Sequence, residues 1–148
     1  MIFDLRKLKI SNAYEGNFRF EESLDDSLLN SLGDAKFISP VVVEGYYYLN
    51  DNDFEVDGDI TFELKGECSR CLTEVDESFT IPFNELFVKN PKGDEYEIVK
   101  DVVDLKKAVC DAIMPQLPIR LLCDENCKGI CLGCGVNLNK EECKCNNK

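Results

Sequence analysis

The chain contains no histidine and no tryptophan, only two methionines, and 17 basic residues against 29 acidic ones. Without histidine the commonest general base is missing. No Gly-rich phosphate loop and no nucleophile elbow occurs, so phosphoryl and acyl transfer have no visible starting point, and a non-enzymatic role is expected. Neighbouring acids such as Asp25-Asp26 and Glu141-Glu142 read as ordinary solvated charge. No apolar run approaches the roughly 18 residues that a bilayer crossing needs. The opening MIFDLRKLKI has neither a basic leader with a long apolar stretch nor a small-residue cleavage site, so a cytoplasmic protein is expected.

The shortage of base is uneven. From Leu121 to Lys148 four acids meet four bases, which leaves 25 acids against 13 bases in residues 1–120. A surface of that sign repels phosphate backbones and attracts a basic partner such as a ribosomal protein. Hydrophobic residues make up 44% of the 148, enough for one domain with a core, or one domain with a small appendage.

What the chain does have is nine cysteines. An odd count with no visible secretory leader argues against a disulfide framework and for metal ligation in a reducing compartment. Eight of them pattern as ligands: Cys68 and Cys71 in a mid-chain CSRC, then Cys123, Cys127, Cys131, Cys134, Cys143 and Cys145. Two thiols separated by two residues aim both sulfurs at one point, and eight thiols complete two tetrahedral four-sulfur sites. The ninth, Cys110, lies off the centre of a helical apolar face and is not expected to be a ligand.

Periodicity places these pairs. Even positions from Phe54 to Cys68 are apolar or small, while the odd positions between them are polar or charged, which predicts a long strand with one buried face. Alternation resumes at Val75, Phe79, Ile81 and Phe83, with Glu77 interrupting the inward set, so CSRC forms the tip of a hairpin. The β-branched and aromatic run Val41–Leu49 adds a preceding strand, and residues 41–88 read as a three-stranded antiparallel meander. Ile2–Leu5 and Asn17–Glu21 read as short strands, Ser27–Leu32 as a helical turn, and residues 89–95 as a loop. Asp104 caps a helix over 104–114, in which Leu105, Ala108, Val109, Ala112 and Ile113 share one face until Pro115 and Pro118 stop it. The expected class is α+β: an antiparallel β-meander or partly closed sheet, one main helix in the C-terminal half, and a Cys-rich zinc-ribbon-like tail. Residues 1–120 form the β-rich domain and 121–148 the tail, docked on the 68–71 knuckle.

That tail carries almost no core, so ion binding supplies its folding energy. Cys131-Leu132-Gly133-Cys134-Gly135 reads as a rubredoxin-like knuckle whose final glycine permits a left-handed turn. Cys143 and Cys145 close a loop on the same ion, which leaves Cys68, Cys71, Cys123 and Cys127 for a second; Cys127 and Cys131 are interchangeable on spacing alone. The knuckle spacings favour zinc, two ions in closed structural sites, although four thiolates also accept iron. A thiolate-based redox or metal-sensing protein with an iron–sulfur cluster is therefore the rival reading. Arg70, inside CSRC, is placed to meet RNA phosphate or a partner carboxylate, or to screen thiolate charge; Lys128, Lys140 and Lys144 are further candidates for partner or RNA contact.

The order CSRCL, then a helix opened by Asp104-Leu105, then CKGICLGCGVNLN with a final CKC resembles the YceD family of large ribosomal RNA subunit accumulation proteins. The resemblance covers most of the chain, with Leu132 where many members have proline. It implies a non-enzymatic role in accumulation or maturation of 23S ribosomal RNA, acting by binding that RNA, a basic large-subunit ribosomal protein, or both. It also implies functional weight for Cys68, Arg70, Cys71 and the tail cysteines, with Gly129, Gly135, Asn137, Leu138 and Asn139.

Overall fold

The run from Phe54 that alternates apolar with charged side chains becomes half of a long hairpin. Its buried face is the apolar set: Phe54, Val56, Ile60, Phe62 and Leu64 are all at or below 1% exposed. The computed structural model describes residues 1–145; the last three residues of the expected 121–148 tail lie outside them. In chain order the elements are β1 (Ile2–Asp4), α1 (Leu5–Ile10), β2 (Glu15–Glu22), a 3-10 turn (Asp26–Leu32), β3 (Lys36–Phe37), β4 (Val41–Leu49), β5 (Asp53–Glu67), β6 (Glu74–Val88), β7 (Tyr96–Glu97), β8 (Val102–Asp104), α2 (Lys106–Ile113) and a 3-10 turn (Met114–Gln116). The class is α+β, mostly sheet with short helices.

The main sheet has the order β2-β4-β5-β6-β7, with β3 paired to β5. The meander expected over 41–88 is its centre: β4 runs antiparallel to β5, with Gly45 opposite Gly58 and Tyr47 opposite Val56. The sheet is not clearly closed: its order runs from β2 at one edge to β7 at the other. β7 joins in parallel, on the end of β6.

Close contacts divide the chain into two units: Met1–Leu24, Ser39–Phe62 and Ser78–Leu117 in the first, and Asp25–Ile38, Glu63–Glu77 and Pro118 onward in the second. In the first, Phe3 packs against Phe18, Phe20, Tyr47 and Phe54 with ring centroids 4.7–5.5 Å apart. Two short strands that the sequence reading did not pair, β1 and β8, run antiparallel, with Phe3 opposite Val103. Asp4 caps α1 by accepting from the Arg6 and Lys7 amides. Helix α2 starts two residues later than expected. Asp104 ends β8, and its carboxylate still accepts from the Lys106 amide at 3.0 Å, so the expected cap acts from just outside the helix. Leu105, Ala108, Val109 and Ile113 are fully buried. In the second unit Leu29, Ala35, Leu64 and Leu121 are buried, and so are three cysteines, Cys68, Cys71 and Cys127. A Cβ on Gly66 would stand 2.6 Å from Leu121 Cδ1, so the glycine is what admits that leucine. Among the described residues no helix is long and apolar enough to cross a membrane.

Candidate metal centre

Both groups of sulfur lie within the second unit. The turn from Cys68 to Thr73 joins β5 to β6, and it is closed by the Cys68 amide on Thr73 O at 2.8 Å and the Leu72 amide on Cys68 O at 2.9 Å. Leu72 takes φ +63°, the left-handed conformation that Gly135 takes at φ +79° after Cys134. The residue following each Cys-x-x-Cys is thus left-handed, at a cost of roughly 1–2 kcal/mol where it is leucine.

Cys68, Cys71, Cys123 and Cys127 place their sulfurs all within 4.8 Å of one another, and so do Cys131, Cys134, Cys143 and Cys145. Nearest approaches are 3.6 Å between Cys68 and Cys127, 3.5 Å between Cys71 and Cys123, and 3.4 Å between Cys131 and Cys143. A tetrahedral ion bound to sulfur at about 2.3 Å spaces its ligands about 3.8 Å apart, so both groups fit one ion each. Cys68, Cys71 and Cys127 are buried with Val75, Leu122 and Ile130 packed around them, whereas Cys123 faces solvent. The second group is more open, with Cys134 and Cys143 exposed. Cys110 is in neither group, and burial raises its thiol pKa.

In each group two thiols are lowered and a third is raised. Burial opposes ionisation of Cys68, but the Cys71, Cys123 and Arg70 amides that point at its sulfur outweigh it and bring the thiol down to about 6. The Thr73 hydroxyl, 3.1 Å from Cys71 Sγ, lowers Cys71 together with the Thr73 amide. Amides of Cys134 and Gly133 bring Cys131 down to about 6, and those of Val136 and Lys144 lower Cys134. Crowding by other sulfurs pushes Cys123 and Cys145 up to about 12, Cys123 by Cys71 and Cys127, Cys145 by Cys143 and Cys131.

Around the sulfurs lies a ring of polar contacts. Asn139 Nδ2 donates to Cys127 Sγ at 3.2 Å, while Asn139 Oδ1 accepts from the Lys128 amide at 2.8 Å. Asn137 Nδ2 donates to Thr73 Oγ1 at 3.4 Å. Thr73 went unnoticed in the sequence, though its place two residues after Cys71 is a usable signal. Arg70 directs its guanidinium to the carbonyls of Cys127 at 3.0 Å and Glu125 at 3.5 Å. Gly129, at φ +79°, brings its Cα against the Arg70 backbone, where a Cβ would stand 3.3 Å from the carbonyl. The Lys128, Lys140 and Lys144 side chains are exposed, and Lys144 pairs with Glu141 at 3.4 Å. Leu138 donates its amide to Gly129 O at 2.9 Å.

The family model for "Large ribosomal RNA subunit accumulation protein YceD" matches residues 56–148, which include all eight grouped cysteines. The chain belongs to the YceD family. An uncharacterized protein of Mycobacterium tuberculosis is 32% identical over 94 residues, 58% of this YceD chain and 45% of its own length. The uncharacterized protein YlbN of Bacillus subtilis is 30% identical over 114 residues, 73% of this chain and 66% of its own. An Arabidopsis thaliana protein named large ribosomal RNA subunit accumulation protein YCED homolog 1, chloroplastic, is 44% identical over 43 residues, 29% of this chain and 13% of that one. This YceD chain therefore spans less than half of the mycobacterial and plant relatives. No solved structure matches it.

Proposed function

We propose that this chain is a cytoplasmic, non-enzymatic factor for large-subunit (23S) ribosomal RNA accumulation, which folds its cysteine-rich unit around two zinc ions and acts by binding. The single observation that carries this reading is the geometry of the sulfurs: each group closes on one point within 4.8 Å. Four thiolates fill a tetrahedral zinc and leave no position for water or substrate, which is the pattern of a structural ion. The same span argues against the rival, because an iron–sulfur cluster interposes several iron and sulfide atoms and spreads its thiolates further. Thiolate ligands require a reducing compartment, which supports a cytoplasmic location.

The partners follow from charge. On the outer face of β2, β4 and β5, Glu44 stands opposite Asp59, Tyr46 opposite Asp57 and Tyr48 opposite Glu55. Glu44, Asp59, Tyr46 and Asp57, with Asn17 and Arg19, border a cleft of about 790 Å³ that Gly45 and Gly58 also line. An arginine- or lysine-rich segment of a large-subunit ribosomal protein suits a surface of carboxylates and tyrosines. Lys128, Lys140 and Lys144, on the formally neutral tail, are the cations we assign to RNA phosphate.

The test is genetic and analytical. Cells without the protein are expected to hold less large-subunit than small-subunit ribosomal RNA, restored by the native chain but not by Cys68→Ser. An unchanged ratio overturns the ribosomal reading. Elemental analysis is expected to find two zinc per colourless chain; a brown protein with visible charge-transfer absorption establishes the iron–sulfur rival.

A further inference from the structure

The loop that separates the two cysteine pairs of one group carries the outer contacts of the other. Residues 135–142 lie between Cys134 and Cys143, yet Asn139 within them donates to Cys127 Sγ at 3.2 Å. Asn137 accepts the Asn139 amide on Oδ1 at 2.9 Å and donates to Thr73 Oγ1 at 3.4 Å. Thr73 Oγ1 is 3.1 Å from Cys71 Sγ. A continuous hydrogen-bonded chain, Cys127–Asn139–Asn137–Thr73–Cys71, therefore runs from one sulfur of the first group to another. Its two asparagines belong to the loop of the second.

We propose that the two ions bind cooperatively: the ion held by Cys131, Cys134, Cys143 and Cys145 loads first and fixes Asn137 and Asn139 as positioning residues for the ion held by Cys68, Cys71, Cys123 and Cys127. This rests on reading both groups as ion sites. Loading order follows from chain length. The second group closes within a single stretch, 131–145, whereas partners in the first are 52 and 59 residues apart, and loop closure costs more as the loop lengthens. Coupling follows from the loop itself, which offers no buried side chain among its described residues. Without the second ion only the half-buried Val136 and Leu138 work against the conformational entropy of residues 135–142, which opposes the asparagine contacts. The loop folds back through Cys131 N on Val136 O at 2.9 Å and Leu138 N on Gly129 O at 2.9 Å, which leaves Asn139 facing the sulfur. An N–H donated to a thiolate steadies charge that four sulfurs around a dication leave in excess, and outer contacts of this kind change metal affinity about 10–100-fold. Linkage is reciprocal, so the first ion tightens the second by the same factor.

The experiment titrates the full chain with cobalt(II), follows the visible spectrum of the four-sulfur sites, counts ions by native mass spectrometry and measures each affinity by chelator competition. The native chain is expected to pass from no ion to two with little one-ion species. Cys143→Ser with Cys145→Ser is expected to remove the second ion and weaken the first about 10–100-fold. Asn139→Asp keeps the acceptor for the Lys128 amide but removes the donor to sulfur. It is expected to weaken the first ion comparably, leave the second bound, and shift the sulfur-to-cobalt charge-transfer band, which a merely structural role does not move. Adding Asn139→Asp to the double serine variant is expected to cost nothing further. Unchanged first-site affinity in the double serine variant, or additive losses in the triple, overturns the coupling while both ions still bind. A native chain that takes up no cobalt overturns the metal reading itself, and the coupling with it.

Discussion

The Arg70 guanidinium donates to the Cys127 carbonyl at 3.0 Å, joining residues 57 positions apart in sequence. This contact lets the knuckle hold the tail by its backbone as well as through any shared ion. Arg70→Ala is expected to destabilise the cysteine-rich unit by about 1 kcal/mol, the usual worth of such a bond. Arg70→Lys is expected to recover only part of it, because lysine lacks the planar fork. Hydrogen exchange at the amides of residues 123–130 measures both; unchanged exchange in Arg70→Ala refutes the role.

Leu72 sits in the left-handed region at φ +63° with 58% of its surface exposed, so it has little packing to lose. Leu72→Gly is expected to be neutral or stabilising by up to about 1 kcal/mol, since relief of strain competes with added freedom in the unfolded chain. A chelator-resistance assay against the native chain checks this, and a clear loss of stability counts against it.

A Cβ on Gly133 would stand 2.5 Å from Cys145 Sγ. Gly133→Ala is therefore expected to eject that sulfur and with it the second ion. Native mass spectrometry should show at most one zinc per chain, while far-ultraviolet circular dichroism retains the sheet signal.

Across β4 and β5, Gly45 and Gly58 face each other, and a Cβ on Gly58 would meet the Glu44 carbonyl at 2.1 Å. Backbone cannot yield as a flexible side chain can, so Gly58→Ala is expected to cost about 3 kcal/mol or more. Urea denaturation measures it, and a cost under about 1 kcal/mol would sink the claim.

Burial, and next the Asp111 charge, raises the pKa of Glu85, whose side chain is half-buried in β6. A carboxyl raised on folding is a penalty that is present above its folded pKa and absent below its unfolded one, 4.5. Glu85→Gln is expected to raise Tm at pH 7, with the gain shrinking to nothing as pH falls below that value. A gain that persists at low pH has another cause.

The long hairpin was legible because fifteen-residue strands such as β5 carry many repeats of one pattern. By contrast β1 and β8 are three residues each and meet across about a hundred positions, and no local period encodes such a pairing. Sheet closure depends on how strands curve, which alternation does not report. At the candidate site, spacing grouped Cys134 with Cys143 and Cys145, because these three lie in one short stretch. Spacing could not choose between Cys127 and Cys131; the Asn139 amide on Cys127 and the 3.4 Å approach of Cys131 to Cys143 separate them. Nor could it show that Arg70 serves the carbonyls of Glu125 and Cys127, since their positions depend on the folded tail.

The split origin of the first sulfur group bears on biosynthesis. Cys68 and Cys71 are translated more than fifty codons before Cys123 and Cys127. A nascent chain therefore carries an unmatched pair of thiols for the whole interval, open to oxidants and to stray cations, and relies on a reducing milieu until its later half emerges.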